Sequence, residues 1–184
     1  MRIVSGELRG RRFDPPESFD ARPTTDFAKE NIFNVLANII DFEDIKVLDL
    51  FAGSGSISYE FASRGCSDVT SVERNKIHHR FIVKTAQQFG ISDALHVING
   101  DALKFIKGTT DTYDLIFADP PYAMPEVDQL PDLVINRGLI RPDGFFILEH
   151  SGAGRFNKHP NFWQTRAYGK VNFTFFKPST QNAQ

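Results

Sequence analysis

Between Lys46 and His150 the chain alternates short apolar runs with amphipathic stretches, and this alternation constrains the fold more than any other feature. KVLDLF, DVTSVE, ALHVIN, YDLIFAD and GFFILEH read as strands. Between them SISYEFASR, NKIHHRFIVKTAQQFG, ALKFIK and the irregular VDQLPDLVIN read as helices, the second ending at Gly90. Such alternation predicts a parallel sheet built by right-handed crossovers and covered by helices on both faces. The rhythm breaks near the end. NFWQTRAY and VNFTFF are extended aromatic runs around Gly169-Lys170, which predicts an antiparallel hairpin.

Ahead of the alternating region, RIVSGELRGRRF reads as a small hairpin outside the main sheet. TTDFAKENIFNVLANII has apolar residues at 28, 32, 35, 36 and 39, close to helical period. Thr24 or Thr25 can cap that helix, and Asp26 suits its positive end. A chain of 184 residues suits one domain. We expect residues 1–40 to form an N-terminal extension, residues 45–177 the core, and the final PSTQNAQ to fray.

The net charge of −2 hides an uneven distribution. Residues 1–12 hold Arg2, Arg9, Arg11 and Arg12 against Glu7 alone. Residues 150–184 hold Arg155, Lys158, Arg166, Lys170 and Lys177 with no acid, so the middle of the chain carries −10. Basic ends around an acidic middle suit contact with a polyanion, although solvated faces alone produce the same pattern. One cysteine, Cys66, excludes an intrachain disulfide framework and a cysteine metal cluster. With no membrane-length apolar run and no signal-peptide pattern, a cytoplasmic setting is expected, without membrane association.

VLDLFAGSGSIS follows the first strand of the series and opens a helix. Gly53 and Gly55 permit a tight turn and close approach of a ligand to the backbone, beside the unpaired N–H groups of the helix end. A dinucleotide fingerprint wants a third glycine where Ser58 stands. Asp49, at the strand end, would repel a pyrophosphate but suits a cofactor carrying an ammonium and a sulfonium, which points to S-adenosylmethionine. Glu73 ends the second strand and can accept from ribose hydroxyls. Asp101, in NGDAL after the third strand, can accept from an adenine amine. Each acid also has an ordinary reading as a cap or turn residue. Together they mark the carboxyl ends of three successive strands, where open α/β sheets bind ligands.

DPPY, residues 119–122, closes the fourth strand at the same end. An exocyclic nucleobase amine is a poor nucleophile because its lone pair is delocalised into the ring. Asp119 and the carbonyl of Pro120 can accept its two N–H groups and favour localisation of that lone pair. Pro120 and Pro121 hold the carbonyl rigidly, because φ is fixed in each. Tyr122 offers a face for an extruded base. A proline-stiffened strand exit is the ordinary alternative.

VLDLFAGSG, SVERN, GDAL and FADPPY, in this order, resemble amino-directed nucleic-acid methyltransferases. RIVSGELRGRRF, RPTTDFAKENIFNVL and RAYGKVNFTFF resemble the RsmD-like family, with coverage of nearly the whole chain. The resemblance implies a class I S-adenosylmethionine-dependent, Rossmann-like methyltransferase fold: a mostly parallel seven-stranded sheet with a C-terminal antiparallel hairpin, plus the small N-terminal hairpin and helix. It implies methyl transfer to the N2 amine of a guanine in small-subunit (16S) ribosomal RNA. Carried over by position, Asp119, Pro120, Pro121 and Tyr122 are the amine-binding and stacking group. Asp49, Phe51, Gly53, Gly55, Glu73, Arg74, Asp101, Ala102 and Asp119 hold the cofactor, with Thr25 and Asp26 near its methionine portion. For Asp26 a helix-cap role stays open. Arg2, Arg9, Arg11, Arg12 and Arg22 contact RNA.

His150, Ser151 and Arg155 follow the fifth strand and can border the base pocket. His78 and His79 lack metal-ligand partners at useful spacing, so no metal is expected. Phe13 and Trp163 read as packing residues. The same DPPY chemistry serves adenine N6 in DNA or RNA, and a noncatalytic RNA-binding assembly protein or a small-molecule methyltransferase remain alternatives. A single small domain needs its target presented by folded RNA or an assembled or partly assembled ribosomal particle. We expect a monomer.

Overall fold

The computed structural model describes residues 1–17, 19 and 25–179. Thr24, Arg22 and the last five residues of the expected fraying tail lie outside them. Seven strands form one sheet in the order β3-β2-β1-β4-β5-β7-β6. Here β1 is Lys46–Leu50, β2 Asp68–Glu73, β3 Leu95–Asn99, β4 Tyr113–Ala118, β5 Ile140–His150, β6 Phe162–Tyr168 and β7 Val171–Phe176. The first five are parallel, and β7 runs antiparallel between β5 and β6, as the hairpin pattern anticipates. The connecting helices are α2 Ser56–Ser63, α3 Lys76–Phe89, α4 Ala102–Gly108 and α5 Leu130–Asn136, with a 3-10 turn at Pro125–Gln129 ahead of α5. That turn and Pro131 explain the irregular pattern of VDQLPDLVIN.

Central strands are buried on both faces, so alternate residues feed two separate cores. Val47, Leu115, Phe117 and Ile147 pack with α1 (Asp26–Leu36), α2 and α3. Leu48, Ile116, Phe146 and Leu148 pack with α4 and α5. The strand order reverses between β1 and β4, a topological switch point whose carboxyl end is the expected ligand crevice.

Two element boundaries differ from the sequence expectation. β5 begins at Ile140, ahead of Gly144, across a register shift opposite Tyr113 and Leu115. Gly144 makes this possible, since a Cβ there would lie 2.6 Å from the Asp114 carbonyl oxygen. α1 stops at Leu36, leaving Ile39 exposed, while Phe33, off the expected stripe, is fully buried beside Phe61 and Phe42.

The N-terminal segment is paired as a hairpin through Arg2 and Arg12, but it is an integral part of the core. Ile3 and Phe13 are buried, with Phe13 edge-on to Tyr59. The fully buried Glu60 of α2 accepts the Val4 N–H at 2.5 Å and faces Lys29 Nζ at 3.3 Å. Lys29 in turn donates to the Arg2 carbonyl at 2.6 Å and Ser56 Oγ at 3.0 Å. Burial holds the Lys29 ammonium pKa below its usual value, opposed by Glu60 and Asp26. Losing either charge would leave the other buried with only its longer partner, Arg64 at 3.5 Å from Glu60 or Asp26 at 3.9 Å from Lys29. This buried pair fastens the arm to both helices.

Candidate active site

The turn after β1 is built from left-handed backbone. Phe51 has φ +62°, Gly53 +57° and Gly55 +80°. A phenylalanine in this region stores strain, which the neighbouring structure must hold in place. Ala52 N–H donates to the Val72 carbonyl at 3.0 Å, and Gly55 N–H to the Ala52 carbonyl at 2.7 Å. Glu73 completes the restraint, one carboxylate oxygen accepting Gly53 N–H at 2.8 Å and the other Asn75 N–H at 2.6 Å. Asn99 anchors the same corner by donating to the Glu73 carbonyl at 2.9 Å.

Below this turn opens a cleft of about 890 Å³ along the carboxyl ends of β1, β2, β3 and β4. Phe51, Gly53, Glu73, Arg74, Asp101 and Ala102 line it, together with the whole Asp119–Tyr122 segment. Asp101 also caps α4, accepting Lys104 N–H at 3.0 Å, so its cap role and its place on the wall coexist. Phe19, Asn75, Leu103 and Met124 line the cleft as well without having been singled out from sequence, and so does His78, which the sequence marked only as lacking metal-ligand partners. Asn75 had a local signal as the cap of α3, accepting from Ile77 N–H at 2.8 Å. Phe19 had none, because its place depends on a ring contact with His78 across the fold.

Several expected residues lie off this wall. Asp49 is 1% exposed, takes a hydrogen bond from the Ser58 hydroxyl at 2.5 Å, and does not line the cleft. Ser58 is also bonded to Ser71, so the group that replaces a third glycine joins α2 to β1 and β2. Burial, opposed by the Ser58 bond and supported by the charges of Asp119 and Glu73, pushes the Asp49 carboxyl up to about 7. Gly55 is required by its φ and by the Tyr59 ring, 2.6 Å from where a Cβ would sit. Thr25 Oγ1 accepts Ala28 N–H at 3.2 Å as the cap of α1, and Asp26 pairs with Arg2 at 2.9 Å. Neither lines the cleft.

A second, smaller pocket adjoins the first, and Pro120 and Tyr122 line both. Its remaining wall is Val127, Glu149, His150, Ser151 and Arg155, so His150 at the end of β5 and Ser151 and Arg155 beyond it share this pocket with Tyr122. Arg155 is held at 2.7 Å from Asp128, which pulls the Asp128 carboxyl pKa down and raises that of the guanidinium. His150 Nε2 lies 2.7 Å from Thr174 Oγ1, and burial lowers the imidazole pKa, leaving it neutral near pH 7. Tyr122 is 59% exposed, an accessible aromatic face between the pockets.

Other candidates fall outside both pockets. Arg9, Arg11 and Arg12 are exposed on the N-terminal hairpin. His79 Nε2 sits 3.3 Å from the Val97 carbonyl, apart from His78, whose ring is 3.9 Å from Glu73. Phe13 and Trp163 pack, Trp163 against Phe145 and Phe175 with Lys177 over its ring. Cys66 is buried, which raises its thiol pKa to about 11. No helix among the described residues is long and apolar enough to cross a membrane.

The family model described as conserved hypothetical protein 95 matches residues 1–177. The chain is 27% identical over 184 residues to the ribosomal RNA small subunit methyltransferase D of Escherichia coli, covering 98% of this chain and 91% of that protein. It is 33% identical over 152 residues to the Haemophilus influenzae protein of the same name, covering 81% and 78% of the two chains. The solved structure of the Escherichia coli methyltransferase candidate yhhF superposes with a TM-score of 0.83 at 25% identity, covering 97% of this chain and 98% of that one. The fold is therefore that of the class I methyltransferases, with the glycine turn, the acidic strand ends and the DPPY segment gathered at one crevice. The chain belongs to the conserved hypothetical protein 95 family, which is the RsmD-like family that its motifs resemble.

Proposed function

We propose that the protein transfers a methyl group from S-adenosylmethionine to the N2 amine of a guanine in small-subunit ribosomal RNA. The observation that carries this reading is that Pro120 and Tyr122 form the common wall of two adjoining pockets. The large cleft suits the cofactor, the small pocket of about 10 Å³ has room only for the edge of a base stacked on the exposed Tyr122, and the DPPY segment stands where the methyl must cross. Relatives named as small-subunit ribosomal RNA methyltransferases support the substrate class.

The cofactor fits the residues present. The cleft combines two carboxylates at strand ends, Glu73 and Asp101, with apolar Val72, Leu103 and Met124. The carboxylates suit ribose hydroxyls and an adenine amine, and the apolar groups suit the faces of the purine. Gly53, with Phe51 beside it, lets the ligand lie against the backbone. Asp49 acts by tying β1 to α2 through Ser58, and Thr25 and Asp26 act by holding the start of α1. Bound S-adenosylmethionine supplies an electrophilic methyl on a sulfonium and leaves as the neutral thioether.

Asp119 and the Pro120 carbonyl accept the two N–H groups of the amine and favour the geometry in which its lone pair points into the cleft. The two prolines prevent the carbonyl from relaxing away, so the contribution is positioning and electrostatics. As the nitrogen–carbon bond forms, one N2 proton must leave, and the Asp119 carboxylate takes it. Tyr122 stacks on the extruded base, replacing stacking lost from the RNA. Exposed Arg9, Arg11 and Arg12 supply phosphate contacts that position the RNA, with Arg2 and Arg22 assigned the same role by resemblance.

The test is mass spectrometry of nucleosides from unmethylated small-subunit RNA and from its protein-bound particle, after incubation with enzyme and S-adenosylmethionine. New N2-methylguanosine is expected. N6-methyladenosine would overturn the base assignment, and no methylated nucleoside with cofactor binding intact would favour an assembly protein. Comparison of the two substrates shows whether the particle presents the target, and sedimentation of the enzyme checks the expected monomer.

A further inference from the structure

The small pocket contains an acid that the mechanism above does not use. Glu149 is 3% exposed, yet it lines the pocket with Pro120 and Tyr122. β4 and β5 pair in parallel up to Ala118 opposite Leu148; Asp119 follows the end of β4, and Glu149 follows Leu148 on β5. Asp119 lines the large cleft and Glu149 the small pocket, while Pro120 and Tyr122 line both, so the two carboxylates flank the DPPY segment from either pocket. Arg155, its guanidinium held by Asp128, lines the small pocket with Glu149.

Two neighbouring acceptors and one cation match one nucleobase edge. Guanine presents the N2 amine and the N1–H as adjacent donors, followed by the O6 acceptor. Adenine presents its N6 amine beside N1, which is an acceptor. An ionised carboxylate can only accept, so it bonds N1–H and is repelled by a bare N1 lone pair. That mismatch sets the N1 lone pair of the wrong base against the carboxylate oxygens.

We infer that Glu149 is the residue that selects guanine, accepting N1–H beside the amine held by Asp119, with Arg155 toward O6. This rests on the proposed guanine-N2 activity and assigns its base discrimination to the end of β5 rather than to DPPY, which serves either amine.

The test uses the small-subunit RNA with its mapped target guanine, and the same RNA carrying 2-aminopurine at that position. 2-Aminopurine keeps the reacting 2-amine but presents N1 as an acceptor. Wild-type enzyme should prefer guanine by about 10²-fold or more in kcat/KM. Glu149→Gln can turn its amide N–H toward N1, so the preference should shrink to about 10-fold or less while S-adenosylmethionine affinity is unchanged. Glu149→Asp keeps the charge and should retain the preference for guanine at a lower rate. It serves also if the glutamine variant does not fold.

An unchanged guanine preference in Glu149→Gln, or equal slowing on both RNAs, would overturn the inference and leave the guanine-N2 reading intact. Loss of preference in Glu149→Asp would overturn it too. Failure of the wild-type enzyme to form N2-methylguanosine on either substrate would instead remove the activity itself, and the inference with it.

Discussion

The Glu73 carboxylate holds Gly53 in place, accepting its backbone N–H at 2.8 Å while its second oxygen accepts from Asn75 at 2.6 Å. The end of β2 thereby shapes the turn after β1, and a cofactor contact inferred from sequence is also a structural brace. Each oxygen retains acceptor capacity toward the cleft it lines.

Glu73→Gln should therefore affect fold and ligand together. A glutamine offers one acceptor, and its NH₂ would face one of the two backbone N–H groups. The expected loss is about 1–3 kcal/mol in urea unfolding, with weaker S-adenosylmethionine binding by calorimetry. Unchanged stability would show that Gly53 needs no such brace.

Asp119→Ala should separate binding from chemistry. Cofactor affinity should stay within a few-fold of wild type, because most of the cleft wall is untouched, while single-turnover methyl transfer should fall by about 10²-fold or more. Wild-type turnover in that variant would sink the proposed role of Asp119.

Two glycines of the N-terminal hairpin share a left-handed φ, +82° at Gly6 and +83° at Gly10, but differ in surroundings. A Cβ on Gly6 would lie 1.8 Å from the Ser63 carbonyl oxygen, whereas Gly10 faces open space. Gly10→Ala should cost only the backbone strain, about 1–2 kcal/mol. Gly6→Ala should cost about 1–3 kcal/mol more, since it also displaces the Glu7 N–H from Ser63 O at 2.7 Å. Equal thermal midpoints for the two variants would contradict the docked arm.

Asp49 predicts a pH dependence of stability. Its carboxyl is raised from an ordinary 3.8 to about 7 by burial, so the folded state holds the proton where the unfolded chain has released it. That contribution is full below the unfolded value and is lost as pH rises from about 4 through 7, amounting to at most about 4 kcal/mol. In denaturation between pH 5 and 8, the stability of wild type relative to Asp49→Asn should fall as pH rises. Parallel profiles would mean that Asp49 is not protonated in the folded protein.

The sheet and its crevice were legible in sequence because they rest on local patterns. A period-two or unbroken apolar run sets a strand, a capped amphipathic stretch sets a helix, and their alternation puts FAGSG, Glu73, Asp101 and DPPY at one end of the sheet. The boundary at Ile140 escaped, because it depends on Gly144 approaching the Asp114 carbonyl across the strand pair. Phe33 escaped as well, since its burial comes from rings on α2 and the loop before β1 rather than from its own helix.

By itself, then, the sequence determined the alternating α/β architecture, the antiparallel end and the strand termini that meet at the crevice, all properties of short segments. Only the tertiary structure decided that Asp49 is buried away from the cleft, that Lys29 and Glu60 clamp the N-terminal arm, and that Glu149 joins Tyr122 and Arg155 around one pocket. The reason is physical. Burial, charge neutralisation and pocket shape are set by groups distant in the chain, and no local period encodes which of them meet.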